Sequence, residues 1–182
     1  LLIAACIPTV RDDGRFPTTP EPTPATPHAL PPEGHRGGSL TVRFLDVGQG
    51  DAALLTTSDG HAMLIDSGPP DGAPKVMNEL RKMGSSATGA ITLDNVVLSH
   101  AHADHLGTLS QVVAEFPKAH FFESGFSEHP VAEYKRFHSA LVQAHAEHAV
   151  RRGEHFALGS FTEVSVLAPS DPLIARTRSD VN

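Results

Sequence analysis

Apolar and polar positions divide the chain into three zones. Residues 1–10, LLIAACIPTV, open as an apolar run. From 11 to 39 no periodicity survives, and proline interrupts the stretch repeatedly. From residue 40 onward the pattern becomes regular. SLTVRFLDV alternates or runs apolar and predicts a strand, as do AALLTT and HAMLIDSG. Gly48-Gln49-Gly50-Asp51 predicts a turn between the first two, and Ser58-Asp59-Gly60 a hairpin between the second and third. PKVMNELRKMG predicts a short helix, with Pro74 in its first turn, Gly84 just past its end, and Val76, Leu80 and Met83 on its buried face. NVVLSH predicts a short buried strand, and a helix from Asp104 to Phe116 follows, stopped by Pro117. AHFFES predicts another strand, residues 130–152 a long helix, and FTEVSVLAP a last strand. Hairpins first, then strands alternating with helices, predict a layered α/β fold with helices outside a sheet.

The irregular zones change the picture of where the protein works. Residues 1–10 are too short to span a bilayer, which needs ~20 apolar residues. They resemble the end of a secretory signal. Ile3-Ala4-Ala5-Cys6 resembles a bacterial lipobox, in which Cys6 carries the lipid and becomes the first mature residue. Proline fixes φ and donates no hydrogen bond, so residues 11–39 predict an extended tether of the kind a lipid-anchored enzyme needs. The expectation is an exported protein, extracytoplasmic, held to the cell membrane through Cys6. Residues 40–182 form the one globular domain. The chain starts at Leu1 and stops at Asn182 on what reads as the approach to another strand, so it reads as a C-terminally truncated fragment of a longer protein. A single cysteine excludes an intramolecular disulfide. The net charge of −7 gives no general pull toward nucleic acid, which is therefore not the favoured partner.

Among the 12 histidines one cluster has the spacing of metal ligands: His100, His102, Asp104 and His105, within VVLSHAHADHLG. Residues two apart on an extended chain point to the same side, so His100 and His102 can hold one ion together. Asp104 and His105 fall where the strand turns into a helix, and their adjacent side chains can diverge toward a second ion. Imidazole and carboxylate suit zinc, and also iron or manganese. The alternative for Asp104 is a plain helix cap. His138, His145 and His148 are expected on the solvated face of the long helix, among Ala, Glu and Arg, and not as ligands. Glu128 and His129 lie in a loop expected to border the substrate, His120 is read as structural, and His28 and His35 receive no role.

The cluster resembles the metal-binding signature of the metallo-β-lactamase superfamily. Phe44-Leu45-Asp46-Val47-Gly48-Gln49-Gly50-Asp51 is similar to the opening F-L-D-V-G-Q-G-D of its ComEC-like, competence-related branch. Leu64-Ile65-Asp66-Ser67-Gly68 resembles the superfamily's first motif, and Val166-Leu167-Ala168-Pro169 the branch's strand-ending V-L-x-P. The resemblance covers about residues 40–182. Many ComEC-like domains carry H-x-D-x-D-H, and His102 departs from that toward the more general superfamily form.

The resemblance implies a metallo-β-lactamase-like αββα sandwich, of which mainly the N-terminal half is present, with the site on one edge. It implies a binuclear metallohydrolase with two divalent ions, zinc first, manganese or iron as alternatives. Their ligands would be His100, His102, Asp104 and His105, with Asp104 also the catalytic carboxylate. Further ligands, an Asp within Gly-Asp and a late His, would lie beyond Asn182. Behind the ligands, Asp66 would orient a histidine through its other ring nitrogen. Gln49 and Asp51 would sit in a turn near the metal edge, with ordinary turn chemistry as their alternative. Asp46 has a weaker claim. The implied reaction is hydrolysis by a metal-bound hydroxide, on a small-molecule phosphoester or a phosphodiester. Alternatives are a carboxylic ester, thioester or lactam hydrolase of the same fold, or a non-catalytic metal-containing surface binding module. The fragment alone is expected to hold metal weakly and to turn over nothing.

Overall fold

The computed structural model describes residues 37–84, 91–124, 131–146 and 148–169. Cys6 and nearly all of the proline-rich stretch, the loop with Glu128 and His129, and the stretch from 170 to Asn182 lie outside the described residues. Five strands form the main sheet: β1 (Leu40–Phe44), β2 (Ala53–Thr57), β3 (His61–Ile65), β4 (Thr92–Val97) and β5 (His120–Phe122), in that spatial order. β1, β2 and β3 pair antiparallel, β2 and β3 through a tight turn and β1 and β2 through the longer connection 45–52. β3, β4 and β5 pair parallel, which requires a crossover at each step. The helix α1 (Ala73–Met83) makes the first crossover, and α2 (Ala103–Leu106) with α3 (Leu109–Glu115) the second. Helix α4 (Ala132–Ala144) follows, then a two-stranded antiparallel sheet of β6 (His155–Leu158) and β7 (Thr162–Ser165).

The period-2 alternation of the strands assigns their two faces. Leu54, Leu64, Val96 and Phe121 pack with Val76 and Leu80 of α1, Val112 of α3 and Phe137 of α4. The intervening Leu55, Met63, Val97 and Phe122 pack with Leu158, Val164 and Val166 of the second sheet. The result is a mixed α/β fold of three layers: helices, central sheet, small sheet. No helix among the described residues is long and apolar enough to cross a membrane.

Three expectations are corrected. The helix expected over Asp104 to Phe116 is two helices broken at Gly107-Thr108. Gly107 lies so close to Pro69-Pro70 that a Cβ there would stand 2.3 Å from the Pro70 nitrogen. The Thr108 N–H turns aside to the Ser67 hydroxyl, at 3.1 Å. The long helix expected over 130–152 ends at Ala144, because His145 adopts a left-handed conformation, φ 51°, that caps it. Beyond it the chain runs along the edge of β5: Glu123 N–H donates to the His148 carbonyl and Val150 N–H to the Glu123 carbonyl. Tertiary pairing thus overrides the helical propensity of residues 148–150. His145 and His148 therefore do not share a helix face, and β6 appears where no strand was expected. β1 is a strand as expected, but it is the open edge of the sheet and all five residues are exposed. Leu40, Val42 and Phe44 share a face with Leu55, yet Phe44 remains 81% exposed.

Asp59, in the β2–β3 turn, joins the tips of the two sheets. Its carboxylate accepts from the Thr57 hydroxyl and from Ser160 N–H, the latter at 2.7 Å. The Thr57 bond first, then the Ser160 bond, lowers its pKa from 3.8 to about 2. A depressed carboxylate contributes stability that is present above its unfolded value and lost as pH falls through about 2. Asp59→Asn is therefore expected to lower the urea midpoint at pH 7, with the difference from the parent closing between pH 4 and pH 2. Equal midpoints at pH 7 would refute this clasp.

Candidate metal centre

Because β3 and β4 run parallel, their C-terminal ends emerge on the same edge of the sheet. β3 runs out into Asp66-Ser67-Gly68 and β4 into Leu98-Ser99-His100. The ladder continues one step past each strand, with Asp66 N–H on the Val97 carbonyl and Leu98 N–H on the Phe122 carbonyl. His102 keeps an extended backbone, and its carbonyl takes the N–H groups of His105 and Leu106 to start α2. His102, not Asp104, is thus the N-cap residue, and no side chain caps the helix. Asp104 lies in the first turn.

The organising group is the Asp66 carboxylate. Asp66 is 4% exposed and has a left-handed backbone, φ 55°, at the strand end. Asp tolerates that region better than most residues, at a cost of ~1–3 kcal/mol. The conformation turns its carboxylate toward three donors: Ser99 N–H at 2.8 Å, Ser99 Oγ at 2.6 Å and His105 Nδ1 at 3.0 Å. A carboxylate only accepts, so His105 carries its proton on Nδ1. The Ser99 hydroxyl has one proton, and Asp66 takes it. Ser99 Oγ must then accept from His100 Nδ1, 3.0 Å away. One carboxylate therefore sets the tautomer of both histidines, directly for His105 and through Ser99 for His100. Both are left with Nε2 as the lone-pair nitrogen, the form a metal requires.

Electrostatics separates the two rings. The hydrogen bond to Asp66, aided by the charges of Asp66, Asp104 and Asp51, raises the His105 pKa above 6.5. Burial first, then repulsion from His105 and His102, lowers that of His100. The ring centres of His100 and His105 are 4.0 Å apart, and those of His100 and His102 are 4.6 Å apart. Asp104 Oδ2 lies 3.9 Å from His105 Nε2. Among the described residues no three His, Cys, Asp or Glu side chains converge as a closed ligand set. Yet the donors fit a divalent metal by their chemistry: three imidazoles and a carboxylate, two of the imidazoles held in the coordinating tautomer.

The remaining expected residues divide. Asp51 lies 3.9 Å from His105 Nδ1, behind the same histidine, with its side chain 78% exposed. Gly50 beside it has φ 95°, and a Cβ there would stand 1.9 Å from the Asp104 carbonyl oxygen, so this turn packs directly on the backbone of α2. Gln49 is exposed. Asp46 is exposed and ion-paired with Lys75 at 3.3 Å. The sequence reading missed Ser99, the relay to His100, and Ser67, whose backbone N–H and hydroxyl both reach the His105 carbonyl, at 2.6 and 3.2 Å. A serine directly before the first histidine of the motif was the signal available for Ser99.

A family model described as the metallo-beta-lactamase superfamily matches residues 45–174. Among solved structures, one from Cronobacter sakazakii (Enterobacter sakazakii), described as a metallo-beta-lactamase HARLDQ motif protein, is similar at 26% identity and a TM-score of 0.35. The match covers 46% of this chain and 32% of that one, so the chain spans about a third of its length.

In the metal-free protein, His105 is expected to titrate above the ordinary imidazole value and His100 below it, read from ring-proton NMR shifts. Asp66→Asn removes the charge and the strongest acceptor, and should lower the His105 pKa. An unchanged His105 titration in that variant would overturn the role given to Asp66.

Proposed function

The chain belongs to the metallo-beta-lactamase superfamily, whose members are in general metal-dependent hydrolases, and on that premise we propose that it hydrolyses a phosphoester or phosphodiester. The observation that carries the reading is the Asp66–Ser99–His100 and Asp66–His105 network, which holds two ligand nitrogens in coordinating form on one sheet edge. His100, His102, Asp104 and His105 are the residues proposed to hold two divalent ions, zinc first. When bound, such ions supply activation of water near neutral pH and neutralisation of charge on the attacked oxygen.

The chain's own residues supply the rest. Asp66 and Ser99 hold the rings and fix where their protons sit. Asp104 brings a negative charge to the cluster of imidazoles, and His102 stands exposed at its mouth. The carboxylate of Asp51 adds charge behind His105. The choice of a phosphoester rests on the likeness of residues 44–51 and 166–169 to the ComEC-like branch. The same reading has the enzyme exported and tethered through a lipid on Cys6, on the likeness of residues 3–6 to a lipobox.

In the full-length protein, His102→Ala is expected to remove bound metal, measured by elemental analysis, and to bring turnover of a bis-aryl phosphodiester to background. Retention of both metal and turnover would sink the proposal. A parallel panel of carboxylic ester, thioester and lactam substrates tests the substrate class, and preferential turnover of any of these would replace the phosphoester.

A further inference from the structure

We propose that Glu123, acting with Tyr134, is a positioning residue that holds the two arms of the metal motif in register. The inference rests on the reading of that motif as a metal site. Glu123 follows the last residue of β5, on the same sheet edge as the motif and one strand away from it. It is 5% exposed. Its carboxylate accepts a hydrogen bond from the hydroxyl of Tyr134, itself 2% exposed, at 3.0 Å. His138 stacks on Tyr134 with ring centres 5.8 Å apart, and its Nδ1 lies 3.9 Å from Glu123 Oε1.

A buried carboxylate is a costly way to fill space, since apolar side chains would fill the same volume without desolvating a charge. What it adds is direction. Apolar packing is non-directional, whereas the hydrogen bond between Tyr134 and Glu123 adds a directional constraint on the height and rotation of α4 against β5. Both arms of the motif lean on that joint. The β4 arm does so because Leu98, two residues before His100, donates its N–H to the carbonyl of Phe122, one residue before Glu123. The helical arm does so because α4 packs on α2, with Leu106 in one cluster with Tyr134 and Phe137. The Glu123 backbone is pinned at both ends, N–H to the His148 carbonyl and carbonyl from Val150 N–H, so the carboxylate has a fixed base. The Tyr134–Glu123 bond thus closes a frame: β4, β5, α4, α2 and back to β4 through the motif itself.

The experiment uses the full-length protein and Co²⁺ as probe, at a temperature where every variant is at least ~95% folded, so that loss of stability alone leaves affinity unchanged. Tyr134→Phe removes only the hydroxyl. It is expected to weaken Co²⁺ binding about tenfold, in the range for groups supporting metal ligands, and to shift the visible absorption of the bound ion. Glu123→Gln keeps an acceptor for Tyr134 and should bind nearly as the parent does. In the metal-free protein, Tyr134→Phe should speed amide exchange at Leu98 and at Leu106, one on each arm. Parental affinity and exchange in Tyr134→Phe would overturn the inference, as would Glu123→Gln behaving no better than Tyr134→Phe. If the parent itself takes up no Co²⁺, the metal reading fails. The exchange measurement then decides the frame, with faster exchange at both amides supporting it and parental rates overturning it.

Discussion

The sheet edge depends on one carboxylate that collects three donors. Asp66 is buried, and a buried carboxylate is tolerable only when its lone pairs are occupied. Ser99 N–H, Ser99 O–H and His105 N–H occupy them. Those donors come from two different segments, the end of β4 and the helix α2, while Asp66 itself ends β3. Satisfying the charge therefore requires all three segments to meet in one arrangement. Backbone bonds repeat the same junction: Ser67 N–H reaches the His105 carbonyl and Gly107 N–H the Gly68 carbonyl. The polar network and the backbone lacing specify one geometry twice.

The glycines of the motif follow from that closeness. Gly107 passes against Pro69-Pro70 with no room for a Cβ, and this contact ends α2 after a single turn. At the break the Thr108 N–H donates to the Ser67 hydroxyl oxygen, and Leu109 is buried in the core. Gly50 plays the matching part from the other side, bringing the residue 48–51 turn onto the backbone of Asp104.

Much of this was legible in the sequence, for physical reasons. β2 and β3 were legible as strands because each is covered on both faces, which leaves a short apolar run bounded by turn residues. The spacing of His100, His102, Asp104 and His105 was legible because a strand running into a helix start is a local event. The ends of α2 and α4 were not local. Gly107 breaks its helix because of prolines nearly 40 residues earlier, and residues 148–150 leave the helix because the edge of β5 offers them hydrogen bonds. β6 was hidden for a related reason: its His-Phe-Ala-Leu carries too short a pattern to separate from the helix before it. Ser99 was hidden because its role lies in which proton it gives away, and that is fixed only by Asp66, 33 residues away.

The same facts bear on how folding and metal binding are related. In small zinc domains the ligands meet only when the ion joins them, so binding free energy is folding free energy. Here the apolar clusters on the two faces of the central sheet, with Leu54, Leu64 and Phe121 on one side and Met63, Val97 and Leu158 on the other, hold the layers together, and Leu98, Ala101 and Leu106 tie the motif's own backbone into the first of them. The site is then finished by hydrogen bonds internal to the protein, which already place the protons of His100 and His105 on Nδ1. On the proposed function, an ion reaching that edge would meet nitrogens whose tautomer and ring orientation have been set by Asp66. The ordering cost of those two rings falls on the fold rather than on binding. A carboxylate held in a strained backbone at the end of β3 is thus where the stability of the layers is converted into readiness of the site.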